Sequence, residues 1–209
     1  MQARPTRAIA RGDGGGRVAA WRMTAAVPGL TLVPEWISGE RERDIIAAAD
    51  ALPWDDGLRR RVQHHGYRYA YRGRKVDAAE PLGPLPTWAA ELAARLHGDA
   101  IFTCPPDQVI VNEYVPGQGI SAHIDCVPCF GPVIASLSLG SGATLELSHP
   151  ATGSRAAVWL PPRSLLVLAE DARYRWRHAI PARKSDPGRG PRGRRLSLTF
   201  RTVLRERRG

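Results

Sequence analysis

Apolar and polar positions repeat with two different periods along the chain, and the change falls near residue 105. Ahead of it, the short run Gly29-Leu30-Thr31-Leu32-Val33 reads as a strand. Ser38 and Gly39 then precede a stretch in which Ile45, Ile46 and Ala49 fall at helical spacing and Glu40 and Glu42 occupy the first turn, which predicts a helix over about 40–51. A second helix is predicted over 86–96, where Trp88, Leu92 and Leu96 share one face. Beyond residue 105 the apolar runs shorten. Strands are predicted over 109–114, 133–139, 144–147, 156–160, 164–168, 174–180 and 196–204, with gaps punctuated by Pro116-Gly117, Gly140-Ser141-Gly142 and Pro161-Pro162. Many short strands at close spacing predict a mostly β domain with flanking helices, folded as a sandwich or jelly roll.

At 209 residues the chain is expected to form one domain with room for a sizeable core. Its boundaries are read as a disordered leader over 1–27 and a single domain over 28–209, with the β core at about 105–204. The leader carries Arg4, Arg7, Arg11, Arg17 and Arg22 around a Gly-rich run, the composition of a disordered segment or an organelle transit peptide; a start at Met23 is the competing reading. No apolar run approaches the roughly 20 residues that span a bilayer, so no membrane partner is expected. The chain is read as cytoplasmic and monomeric, with the organelle alternative left open.

The formal charge of +10 is unevenly placed. Residues 28–57 are acidic, whereas 58–76 carry Arg59, Arg60, Arg61, Arg68, Arg72, Arg74 and Lys75 with no acid. Arginine outnumbers lysine heavily, Lys75 and Lys184 being the two lysines, which a coding bias would also produce. Bias does not explain clustering, and clustered cations suggest a polyanionic partner, phosphate above all. Three cysteines make no disulfide framework. Cys126 and Cys129 are read as two incidental thiols in a reducing compartment, with a redox pair as the alternative.

The chemistry concentrates in His123, Asp125 and His178. On a strand, residues two apart point the same way, so His123 and Asp125 can face one interior. A distant imidazole then completes two imidazoles and one carboxylate, the set that holds Fe(II) on one side and leaves positions open. Each of the three alone could equally be a core histidine or a turn aspartate, and His149 rivals His178. Two arginines six positions apart, Arg195 and Arg201, follow downstream, and guanidinium forks bind carboxylates bidentately.

Taken together, Asn112-Glu113-Tyr114-x-Pro116-Gly117, His123-x-Asp125, Arg173-Tyr174-x-Trp176-x-His178 and the run from Arg195 to Arg201 resemble the AlkB family of Fe(II)/2-oxoglutarate dioxygenases over about 28–204. Ser136-Leu137-Ser138-Leu139-Gly140-Ser141 looks most like the branch that contains the animal tRNA wobble-uridine hydroxylase. The resemblance implies a double-stranded β-helix core with an N-terminal substrate lid, here about 58–76. It implies Fe(II) bound by His123, Asp125 and His178, with 2-oxoglutarate and O2 as co-substrates. Arg195 would pair with the distal carboxylate of 2-oxoglutarate, helped by Tyr114, while Arg201 and Asn112 would lie near the chelating end. Ser197 stands where many relatives carry Asn and offers a shorter hydrogen-bonding group in the same pocket.

The implied reaction couples conversion of 2-oxoglutarate to succinate and CO2 with oxidation of a C–H bond. The leading expectation is oxidative demethylation of alkylated bases in DNA or RNA, with loss of formaldehyde. Hydroxylation of a modified tRNA base, oxidation of a protein or lipid, and non-catalytic nucleic-acid binding are the alternatives. In the lid, Tyr67, Tyr69 and Tyr71 interleave with cations, as in a segment that stacks bases and tracks phosphates, or in an ordinary amphipathic strand. Arg68, Tyr69, Arg72 and Arg74 are the expected substrate contacts. Trp176 is expected to pack in the core beside the iron, on the face of His178.

Overall fold

The computed structural model describes residues 22–23, 27–70 and 75–204. The leader expected over 1–27 falls almost wholly outside them. In chain order the elements are β1 (Arg22–Met23), β2 (Leu30–Val33), α1 (Gly39–Asp50), β3 (Val62–His65), β4 (Tyr67–Ala70), β5 (Lys75–Pro81), α2 (Thr87–Gly98) and β6 (Gln108–Tyr114). They continue with β7 (Ile120–His123), β8 (Phe130–Gly140), β9 (Ala143–Ser148), β10 (Arg155–Leu160), β11 (Leu165–Leu168), α3 (Glu170–Tyr174) and β12 (Arg177–Ile180). The hairpin strands β13 (Ser185–Asp186) and β14 (Gly190–Pro191) and the long β15 (Arg195–Val203) follow.

Two sheets face each other. A seven-stranded sheet runs β1-β2-β11-β8-β15-β6-β3 and a four-stranded sheet runs β10-β9-β12-β7. This is the jelly-roll arrangement of the expected fold class, with α1 and α2 packed on the outer face of the large sheet. The strict alternation of a strand sorts each residue of the large sheet to one side. On β15, Leu196, Leu198 and Phe200 point outward into a core completed by Ile45 and Ala49 of α1 and Trp88, Leu92 and Leu96 of α2. The neighbours Arg195, Ser197, Thr199 and Arg201 point inward, toward the small sheet. One strand thus carries an apolar half for stability and a polar half for chemistry.

The helices form where the pattern predicts. Ser38 caps α1 by accepting a hydrogen bond from the Arg41 amide at 3.1 Å. Glu42 reaches across to accept from the Gly140 amide at 2.8 Å, tying α1 to the large sheet. Gly66 turns the chain out of β3 into β4 with φ near 80°, and an added Cβ there would lie 1.9 Å from the Asp107 carbonyl oxygen, so only glycine fits.

Three expectations are corrected. The strand predicted over 174–180 is shorter, because Tyr174 ends α3 and only 177–180 pair, with β7 and β9. Asp125 does not lie on a strand with His123: β7 stops at His123, and Asp125 begins the loop to β8. Cys126 and Cys129 are not independent thiols but a disulfide that closes this loop, while Cys104 is free and exposed. Alkylation of the folded protein without reductant should therefore label Cys104 alone, and all three cysteines after reduction and unfolding. Labelling of Cys126 or Cys129 in protein never exposed to reductant would exclude the bridge.

Candidate metal and co-substrate site

Inward-pointing side chains of the two sheets enclose a cavity of about 1000 Å3. One wall is β6, β8 and β15; the other is β7, β9 and β12. At its inner floor Ile134, Leu145, Leu160, Leu166 and Leu168 are apolar. The mouth is formed by the lid and by the stretch before β7. There Gly119 lets two backbones meet, since an added Cβ would lie 2.1 Å from the Ile180 carbonyl oxygen.

His123, Asp125 and His178 converge at this cavity, with ligand atoms all within 4.8 Å of one another. His123 and His178 sit directly opposite on β7 and β12, which puts their rings on the same face, 4.4 Å apart between centroids. His178 Nε2 lies 3.9 Å from Asp125 Oδ2. His123 Nδ1 is 2.8 Å from the Ser121 carbonyl oxygen. That contact makes Nδ1 the donor and leaves Nε2 as the lone-pair nitrogen, the tautomer a metal ligand requires. His149, the rival ligand, instead accepts from the Thr152 amide and stands edge-on to Trp176. Trp176 is buried core, ahead of β12 rather than on it.

Asp125 is buried, which alone would raise its pKa, but the Arg201 guanidinium opposes burial and the carboxyl is held well below the ordinary carboxylate range. Arg201 Nη2 donates to Asp125 Oδ1 at 3.0 Å. Burial pushes His178 down to about 4, so its imidazole is neutral near pH 7. An ionised carboxylate beside the neutral His178 imidazole, with His123 opposite, is a donor set that fits a divalent cation.

At the other end of β15, Arg195 is buried, and burial lowers its pKa to about 10. Its Nη2 donates to Ser138 Oγ at 2.8 Å, and its Nε and Nη1 have no hydrogen-bond partner among the described residues. A buried guanidinium with unsatisfied N–H groups is costly unless an anion completes it. Tyr114, opposite Arg195 across the β6–β15 ladder, lies with its ring 5.6 Å from the guanidinium carbon. Burial raises the Tyr114 pKa, so the phenol stays a donor. This fork lines the same cavity as the three-ligand cluster, and a carboxylate is the group whose charge and geometry would complete it.

Asn112 and Ser197 face the same cavity, but each already has a protein partner. Asn112 Oδ1 accepts from Arg60 Nε at 2.8 Å, and Ser197 Oγ is 2.9 Å from Ser136 Oγ. Ser136 and Ser138 were not singled out from sequence as site residues. Their signal was the alternation Ser-Leu-Ser-Leu, which marks two small polar groups on the inward face of an otherwise apolar strand. Glu113 was also missed. It points away from the cavity, accepts from Arg61 at 2.6 and 2.8 Å and from Arg194 at 2.7 Å, and so braces the strand pair that carries Tyr114 and Arg195.

The lid divides its expected contacts. Arg61 is committed to Glu113 and stacks over Trp54. Tyr67 is core, Tyr69 lines the cavity against Phe130, and Arg68 between them is exposed. Arg72, Arg74 and Tyr71 lie outside the described residues. Arg59 and Arg60 line the cavity mouth.

The buried histidines carry a pH dependence. His64 and His178 both sit at about 4 through burial, against about 6.5 for an unperturbed imidazole. Between those values the unfolded chain binds protons that the native protein refuses, so stability is full above pH 6.5 and falls as pH drops toward 4. From pH 7 to pH 5 the metal-free protein should lose on the order of 1–2 kcal/mol for each of the two. Urea unfolding at both pH values should show this loss, and a smaller one in His178→Gln; equal losses would contradict a neutral buried His178.

The 2OG-Fe(II) oxygenase superfamily matches residues 29–201. The "Alkylated DNA repair protein ALKBH8 homolog" of Arabidopsis thaliana is 35% identical over 205 residues, covering 85% of this chain and 59% of that protein. The "tRNA (carboxymethyluridine(34)-5-O)-methyltransferase alkbh8" of Xenopus tropicalis is 38% identical over 167 residues, covering 76% of this chain and 26% of that protein. The chain thus spans well under two thirds of either relative. Among solved structures, OsALKBH1 superposes with a TM-score of 0.65 at 18% identity, covering 88% of this chain and all of that one. With the two-sheet cavity and its cluster of two histidines and one aspartate, these matches place the chain in the 2OG-Fe(II) oxygenase superfamily, as an AlkB-family dioxygenase close to the ALKBH8 branch.

Proposed function

We propose that this dioxygenase oxidises a C–H bond on a modified or alkylated base of nucleic acid, presented singly to the cavity mouth. The observation that carries the reading is the mouth itself. Arg59, Arg60 and Tyr69 line the same cavity as His123, Asp125 and His178, with Arg59 exposed, and Arg68, next to Tyr69 in the chain, is exposed as well. Cations at a rim can follow phosphates while a ring meets an extruded base. If the oxidised carbon is an N-methyl group, the product loses formaldehyde and the base is demethylated; if it is a stable carbon, hydroxylation is the end point. A tRNA base is the second reading, favoured by the similarity to the Xenopus protein named for a tRNA uridine modification.

In this reading His123, Asp125 and His178 hold Fe(II), which, with 2-oxoglutarate and O2 bound, supplies the oxidising power. Arg201 keeps Asp125 ionised and oriented. The Arg195 fork takes the distal carboxylate of 2-oxoglutarate, with the Tyr114 hydroxyl as a further donor. Asn112 and Ser197 shape the wall between. The apolar floor of Ile134, Leu166 and Leu168 excludes water.

Replacing Arg195 with Met removes the fork at similar volume. A charge-assisted carboxylate pair is worth about 1.5–3 kcal/mol, so the 2-oxoglutarate requirement for succinate formation should rise roughly 10- to 150-fold. Melting temperature without co-substrate should hold or rise, because an uncompensated buried cation is gone. An unchanged requirement would remove Arg195 from the co-substrate pocket.

Replacing Arg59 and Arg68 together with Ala should weaken binding of single-stranded oligonucleotides. The salt slope of log affinity should fall by about 0.7–0.9 for each phosphate that the variant no longer neutralises. Unchanged affinity and slope would turn the assignment toward a protein or small-molecule substrate. Mass spectrometry of nucleosides from DNA and tRNA of a deletion strain then identifies the base by what accumulates.

A further inference from the structure

Arg173 is among the most deeply buried large side chains of the described residues, at 2% exposure, and it has no carboxylate partner within ion-pair distance among them. It belongs to the last turn of α3, five residues before His178. Its guanidinium donates to four main-chain carbonyls, two in the loop between β7 and β8 and two at the start of β8. Nη1 donates to Asp125 O at 3.0 Å, Nη2 to Cys126 O and Phe130 O at 3.2 Å each, and Nε to Gly131 O at 3.2 Å. Four of its five N–H groups are thereby used to tie the Asp125 loop to the first residues of β8.

That loop is the weakest part of the metal site by secondary structure. His123 and His178 sit on paired strands, whose ladders fix their backbones. Asp125 lies beyond the end of β7, so no ladder sets its peptide. Its carboxylate is drawn by Arg201 from the large sheet, and its carbonyl is gripped by Arg173. A metal tolerates ligand displacements of only a few tenths of an ångström, so whatever fixes the Asp125 backbone sets the site.

We propose that Arg173 is a positioning residue for the metal centre: its planar fork takes the place of a strand partner for the Asp125 loop and locks that loop to the segment that delivers His178. The inference rests on His123, Asp125 and His178 being the metal ligands. The shape of the guanidinium matters here, because the point-like ammonium of lysine cannot span four carbonyls at once. Groups that orient ligands without touching the metal are typically worth roughly 10- to 100-fold in metal affinity.

The test is Mn(II) binding to the metal-free protein, followed by calorimetry and by the electron paramagnetic resonance of the free ion, with thermal unfolding measured alongside. Arg173→Lys should weaken Mn(II) roughly 10- to 100-fold while unfolding stays cooperative. Asp125→Ala should weaken it at least as much, and adding Arg173→Lys to Asp125→Ala should cost little more, because the arginine acts through the aspartate. Arg173→Gln, which keeps two N–H donors and removes the buried charge, serves the same comparison if the lysine variant does not fold. A lowered melting temperature with unchanged Mn(II) affinity would show Arg173 to be a structural tie alone and overturn the proposal. Full Mn(II) affinity in Asp125→Ala would instead overturn the ligand assignment, and the proposal with it.

Discussion

The ion pair between Asp125 and Arg201 joins the two halves of the molecule. Asp125 follows the small sheet, Arg201 stands on β15 of the large one, and they meet at 3.0 Å with both side chains nearly excluded from water. A buried carboxylate without a counter-charge would take up a proton, and a protonated aspartate is a poor metal ligand. The pair therefore requires the sheets to close at this separation and keeps the carboxylate ionised once they have. The cavity, the convergence of the two histidines and the alignment of Arg195 further along the same strand all follow from that closure.

Charge burial is distributed rather than avoided. Arg195, Arg201 and Arg173 are all buried within or beside one cavity, each satisfied differently: Arg201 by Asp125 and Gln108 with its Nε left over among the described residues, Arg173 by four carbonyls, and Arg195 least of all, by Ser138 through one nitrogen. Incomplete satisfaction is what makes Arg195 a receptor, since an incoming carboxylate recovers desolvation already spent in folding. On the outer side, Glu113 gathers Arg61 and Arg194, and Arg194 also grips Asp50 at the end of α1. That surface network holds the β6–β15 edge next to Arg195 and anchors the first residues of the lid.

The lid illustrates how one basic run serves several ends. Sequence alone presents Arg59, Arg60 and Arg61 as three equivalent cations. In the fold, Arg61 clamps Glu113, Arg60 reaches Asn112 at the cavity, and Arg59 stays exposed at the mouth. Residues 57–60 form a bend rather than a strand, so the three adjacent arginines meet different partners.

Periodicity and turn residues were enough to read the β class, both longer helices and most strands of the two sheets, because an apolar stripe or an alternating run has few ways to be buried. The order of motifs, through the family resemblance it carries, was enough to nominate His123, Asp125 and His178 and the arginines of β15, which the fold brings to one cavity. Tertiary structure decided what depends on partners distant in sequence. It ended the strand before Asp125, broke the predicted 174–180 strand at α3, joined Cys126 to Cys129, and gave Arg173 its four carbonyls. None of these leaves a local signature: a loop carbonyl has the same sequence whether it meets water or a guanidinium, and only the closure of two sheets determines which.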